Sequence, residues 1–192
     1  MRRVVLLATL ALVLPLAAWA DSSIDISNAG GTITGSSAGL SLSGSTLFKY
    51  GTIIGPNLGI VSFTTGAFTK GDAQMGGTLA PGGTFTIMGS GHNGVPNGVI
   101  FSGTFTSATW TLVTLSNGTN NYTLSGALVS STGAVGATVQ ITVNTGKGFF
   151  TGSVDLSSGD TNLTVPEPGT LGLLGTGLVG VAGALRRKSR VG

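Results

Sequence analysis

The sequence predicts an all-β fold: a single antiparallel sandwich or jelly-roll-like domain, flanked by a signal peptide and one C-terminal transmembrane helix. Three observations carry this prediction. Apolar and hydroxylated residues alternate with a period of two through the middle of the chain. Asn-Gly and Gly-rich dipeptides punctuate that pattern at short intervals. Between residues 21 and 164, no stretch combines a 3.6-residue apolar period with helix-forming residues.

The first 20 residues have the three parts of a secretory signal. Met1-Arg2-Arg3 is the positive start, Val4 to Leu16 the apolar stretch, and Ala18-Trp19-Ala20 a small-x-small cleavage site. Ala18, Ala20 and Asp21 therefore mark the cut, and the exported chain is expected to begin at Asp21. The translocon and signal peptidase are the partners this segment implies.

Residues 21–164 hold 27 Gly, 19 Ser and 24 Thr, about half the segment, a content that alone would suit disorder. The alternation argues for strands instead. Val139, Ile141 and Val143 alternate with Thr138, Gln140 and Thr142; Trp110 and Leu112 alternate with Thr109, Thr111 and Val113; Tyr122 and Leu124 flank Thr123. Asn117-Gly118, between the 108–115 and 121–129 runs, is a strong hairpin signal. Thr145-Gly146-Lys147-Gly148 joins the 137–144 run to Phe149–Leu156. Earlier runs are Ser23–Ser27, Thr32–Thr34, Leu40–Leu42, Thr46–Ile54, Gly59–Thr65, Thr78–Ala80 and Thr84–Met88, which makes roughly ten short strands. A Gly-Thr-apolar-Thr unit at 31–34, 83–86 and 103–106 keeps a β-solenoid as the alternative, although its spacing is unequal.

Charge marks the two ends of the chain. Net charge is +3 and sequence pI about 9.7. Residues 21–164, however, carry three Lys against five Asp, a net −2. The middle therefore lacks the basic footprint of a nucleic-acid binder. Zero Cys excludes disulfides, thiolate metal sites and a thiol nucleophile.

Several motifs fall short of a reaction. Gly89-Ser90-Gly91-His92-Asn93-Gly94 matches G-x-G-x-x-G, but Val95-Pro96-Asn97-Gly98 follows where a nucleotide site needs a helix. His92 is the only His and has no cluster for zinc. Asp72, Asp155 and Asp160 are scattered, and the 155–160 spacing fits no calcium loop. Lys147 resembles a phosphate-loop lysine only superficially. No catalytic residue, metal ligand or cofactor is assigned, and the domain is expected not to be an enzyme.

The C-terminal residues 165–192 carry the sharpest signal. Val165-Pro166-Glu167-Pro168-Gly169 precedes an apolar run, Leu171 to Leu185, within a candidate transmembrane helix over 170–185. Fifteen helical residues span roughly 22 Å, short of the ~30 Å hydrocarbon core, and flanking residues would make up part of the difference. The basic end, 186–192, holds Arg186, Arg187, Lys188 and Arg190 and would stay cytoplasmic. Gly172, Thr176, Gly180 and Ala184 recur every four residues and would form a small-residue face for helix packing. Pro166 and Pro168 disfavour helix at and before their positions, so the motif is expected to be an extended, accessible strip.

This tripartite tail resembles the PEP-CTERM sorting domain. The resemblance implies processing near Pro166-Glu167-Pro168 by an exosortase, a cysteine protease or transpeptidase of the inner membrane. It also implies a Gram-negative host that makes exopolysaccharide, and a surface or matrix destination. The expected function is thus that of an exported envelope or matrix protein with a structural or interaction role, held briefly in the membrane. A carbohydrate-binding sandwich is the alternative, which an exposed coplanar aromatic pair or a calcium site would favour; a hydrolase is the remote one.

Overall fold

The computed structural model describes residues 22–131 and 136–165. Its strands are β1 (Ser22–Ala29), β2 (Thr32–Ser36), β3 (Gly39–Tyr50), β4 (Ile53–Thr65), β5 (Phe68–Asp72), β6 (Gly76–Leu79), β7 (Gly82–Ser90), β8 (Asn97–Thr114), β9 (Asn120–Ser130), β10 (Gly136–Asn144), β11 (Ser153–Asp155) and β12 (Ser158–Val165). Among the described residues there is no helix.

Alternation decides which side of each strand faces inward. In β10, Ala137, Val139, Ile141 and Val143 are buried, while Thr138 and Gln140 face solvent. In β9, Tyr122, Leu124 and Leu128 point the same way. The turn between β8 and β9 contains the expected Asn117-Gly118, with Gly118 at φ 80°.

The pairing corrects the sandwich or jelly-roll expectation. Hydrogen bonding runs β1-β12-β10-β9-β8-β7-β4-β3, and β3 pairs back onto β1. Eight antiparallel strands therefore close into a barrel, not two packed sheets. The solenoid alternative falls on the same finding, because neighbouring strands are antiparallel and no parallel coil stacks. Sandwich and barrel share one in–out alternation, so period alone cannot separate them. The pairing of the first and last strands does.

Four short elements, β2, β11, β5 and β6, extend the barrel wall. β2 pairs with the first half of β3 and with β11, while β1 pairs with the second half of β3. β1 and β2 thus act as one strand, kinked at Gly30-Gly31. Gly31 has φ 79°, and a Cβ there would lie 2.5 Å from the Ser43 carbonyl oxygen. At the other side β6 continues β7 along β8, and β5 continues β4 along β6. The expected Thr46–Ile54 run is instead broken at Gly51, where φ is 58° and β3 turns into β4.

Side chains fill the interior. Phe63, Phe85, Phe101 and Phe105 pack in the middle, with ring centroids 6.0–6.3 Å apart. Such aromatic pairs contribute about 0.5–1.5 kcal/mol each beyond area burial. Glycine makes room for these rings: a Cβ on Gly103 would sit 2.5 Å from the Val129 carbonyl oxygen and 2.8 Å from the Phe101 ring.

Gly103→Ala is expected to cost about 1–3 kcal/mol through overpacking. Urea unfolding would show a lower midpoint at unchanged slope; an unchanged midpoint would mean that β8 and β9 are not so closely opposed.

Candidate functional site

Antiparallel parity places both barrel termini at one end. β1 begins there and β12 finishes there, beside the β3–β4 turn and the 91–96 loop. Leu58 and Val95 fold inward and cap this end. Leu58 reaches inward because four residues, 55–58, bulge out between the Leu47–Gly59 and Lys49–Ile54 pairs. Asn57 and Asn93 turn these loops with φ 54° and 56°, a conformation Asn tolerates.

Val165, the first residue of the candidate motif, is the last residue of β12. Gly136 pairs with Thr164, and Leu163 is buried in the wall. Pro166 is next in the sequence, and a proline has no N–H to give a ladder. Pro166, Glu167, Pro168 and Gly169 lie outside the described residues. So do the helix-face positions Gly172, Thr176, Gly180 and Ala184, the basic Arg186, Arg187, Lys188 and Arg190, and the cleavage positions Ala18, Ala20 and Asp21.

The opposite end is plugged. Trp110 stacks on Tyr122 at 5.2 Å, and Phe150 meets both edge-on. The β5–β6 turn folds over them. Trp110 Nε1 donates to the Ala73 carbonyl at 2.8 Å, and the Tyr122 hydroxyl donates to the Gln74 carbonyl at 2.6 Å. The same hydroxyl accepts from the Phe150 amide at 3.0 Å. Asp72 Oδ1 accepts from the Gln74 and Met75 amides and holds the turn in shape.

Seven aromatic side chains are buried among the described residues; Phe48 and Phe149 are more than a third exposed and sit at opposite ends of the barrel. They do not form the coplanar pair that a sugar platform needs. His92 is exposed in the 91–94 turn, its amide donating to Ser90 Oγ and its carbonyl accepting from the Val95 amide. Among the described residues no three His, Cys, Asp or Glu side chains gather as a metal site would require. Asp25 and Asp160 share a shallow depression of about 550 Å³ with Ser125, Gln140 and Asn162. Asp25 is engaged there by a salt bridge to Lys49.

The outer wall is mostly hydroxyl. Thr104, Thr106, Thr109 and Thr111 of β8 and Thr138 and Thr142 of β10 face outward, while the interior is apolar. A membrane-spanning barrel has the reverse arrangement. Exposed apolar residues interrupt the hydroxyl wall, among them Phe48, Val113 and Val129, and one group of them forms a row across three strands. Ile60, Met88 and Val99 are exposed and lie in register on β4, β7 and β8. Their signal is a break in alternation: Ile60-Val61, Ile87-Met88 and Val99-Ile100-Phe101 are apolar on both faces.

Residues 164–188 match the family model of the PEP-CTERM protein-sorting motif. No curated protein and no solved structure matches the chain. The match covers the tail alone, so it speaks to export, membrane anchoring and exosortase processing and not to the barrel.

Tyr122→Phe is expected to leave the aromatic plug in place but to strip the Gln74 carbonyl and Phe150 amide of their partner. The cost is about 1–3 kcal/mol, with faster amide exchange at Phe150. Wild-type exchange at that amide would show that the plug does not depend on the hydroxyl.

Proposed function

From the premise that this chain carries a PEP-CTERM protein-sorting motif, and so is an exported protein that an exosortase processes, we propose that the barrel is its cargo. In this reading it is a non-enzymatic envelope or matrix module released to the cell surface or beyond. The signal at residues 1–20 starts export, and the apolar run holds the chain in the inner membrane until the tail is processed. Outside, the barrel acts through its exterior, in contact with exopolysaccharide or with other copies.

The observation that carries this reading is the distribution of side chains. The barrel interior is packed from Leu58 and Val95 at one end to Trp110, Tyr122 and Phe150 at the other. A ligand-carrying barrel keeps its centre open; this one has filled it. What remains for interaction is a wide outer wall of Thr and Ser hydroxyls with few charges. Such a wall offers donors and acceptors at short spacing to a neutral, hydroxylated polymer. With Glu167 removed along with the tail, the released module has a net charge of −2 through Thr164, so its contacts do not depend on a strong field.

Replacing Pro166 and Glu167 together by Ala leaves the signal and the barrel untouched. Export is expected to continue, and the full-length exported chain is expected to accumulate in the inner membrane, read by fractionation and immunoblot. Release of the double variant at the wild-type level would remove the motif from the reading.

A further inference from the structure

Three Asn-Gly pairs lie among the described residues: Asn93-Gly94, Asn97-Gly98 and Asn117-Gly118. All three asparagines are exposed, so exposure does not distinguish them. Their hydrogen bonds do. The Gly118 amide donates to the Leu115 carbonyl at 2.9 Å, and Asn117 Oδ1 accepts from the Thr119 amide at 2.9 Å. Asn97 and Gly98 open β8, set opposite Ser90 and Gly89 of β7. Asn97 also packs against Gly91, where an added Cβ would stand 3.0 Å from Asn97 Cβ and 3.2 Å from its Cγ.

The 91–94 turn holds its pair differently. The His92 amide donates to Ser90 Oγ, and the His92 carbonyl accepts from the Val95 amide at 3.0 Å. These bonds fix the residues on either side of the pair. Among the described residues, neither the Asn93 carboxamide nor the Gly94 amide has a hydrogen-bond partner. Asn93 at φ 56° and Gly94 at φ 86° are both left-handed, a sparsely populated region for Asn. Gly94 brings no side chain to shield its nitrogen. The peptide between the two residues belongs to no ladder. A nitrogen and the carboxamide carbon it can attack therefore sit together in water, free to turn toward each other.

We propose that Asn93-Gly94 is a self-modification site, at which the chain deamidates with water as the only co-reactant. The Gly94 nitrogen loses its proton and bonds to Asn93 Cγ. The Cγ–Nδ2 bond breaks, and the nitrogen leaves with a proton as ammonia. The product is a five-membered succinimide. Water then adds to one of its two carbonyls and opens the ring. One opening gives aspartate; the other gives isoaspartate, with the main chain routed through the former side-chain carbonyl. One water is taken up, one ammonia is released, and nothing is oxidised or reduced. The loop gains a negative charge and, in the isoaspartate form, an extra main-chain carbon. That carbon lengthens the path between His92 and Val95, whose hydrogen bond closes the turn, and Val95 caps this end of the barrel. Modification therefore loosens the cap.

The full chain, purified in detergent, is incubated in warm, mildly alkaline buffer, with a parallel sample unfolded in urea. Peptide mass spectrometry reads deamidation at each site as a gain of about 1 Da, and electron-transfer fragmentation tells isoaspartate from aspartate. In urea the three Asn-Gly pairs are expected to convert at similar rates, because only local sequence then matters. In the folded protein Asn93 is expected to convert at least about fivefold faster than Asn117 or Asn97, the factor that one retained backbone hydrogen bond is worth. If Asn117 or Asn97 kept pace with Asn93 in the folded protein, the proposal would be overturned. So it would be if Asn93 stayed intact there while converting in urea. In the isoaspartate fraction the Val95 amide is expected to exchange faster by about the same factor; unchanged exchange would overturn the loosening of the cap.

Discussion

The meeting of the first and last strands organises this molecule. β1 must find β12, and β2 must find β11, or eight strands remain an open sheet with two unpaired edges. An open edge exposes a row of N–H and C=O groups to any passing strand. Closure removes those edges and also decides geometry. With an even number of antiparallel strands, a chain that enters at one end must leave at that end. The exit of the sorting tail is therefore a consequence of barrel closure.

Closure depends on side chains chosen for size. Asn28 of β1 lies over Gly159 of β12, where a Cβ would sit 2.5 Å from Asn28 Oδ1. Asn28 in turn donates to Ser45 Oγ on β3 at 2.7 Å. One buried amide thus joins three neighbouring strands at the seam. Farther round, glycines leave space for the phenylalanine rings, and the Trp110–Tyr122–Phe150 plug seals the end away from the tail. With no room inside, the outer wall and the tail are the parts left to meet partners.

Much of the strand content was legible because it depends on period. β9 and β10 show clean alternation, and Asn117-Gly118 announces its hairpin. The closure was not legible. β12 reads SGDTNLTV, with Gly, Asp and Asn in place of β-branched residues, and its pairing is imposed by neighbours rather than by propensity. The first half of β8 was hidden for another reason: Val99, Ile100 and Phe101 follow one another, so the alternation that marks a strand is broken there. Phe149–Leu156 looked like a strand, but only Ser153–Asp155 pairs, because Phe150 leaves the wall to join the plug. At the candidate site the tail motif was plain from residue order alone. The Ile60–Met88–Val99 row was not, since it exists only when three strands far apart in sequence are laid side by side.

β12, which closes the barrel, ends at Val165, and processing of the tail is expected to leave that strand uncut. The intact mass of the protein released by cells with a functional exosortase tests this most directly. The expected product begins at Asp21 and ends after Val165, within or just beyond the Pro-Glu-Pro motif, so that β12 is kept whole. A released form that still carries the apolar run, or one cut inside Ser158–Val165 so that the barrel loses its closing strand, would contradict it.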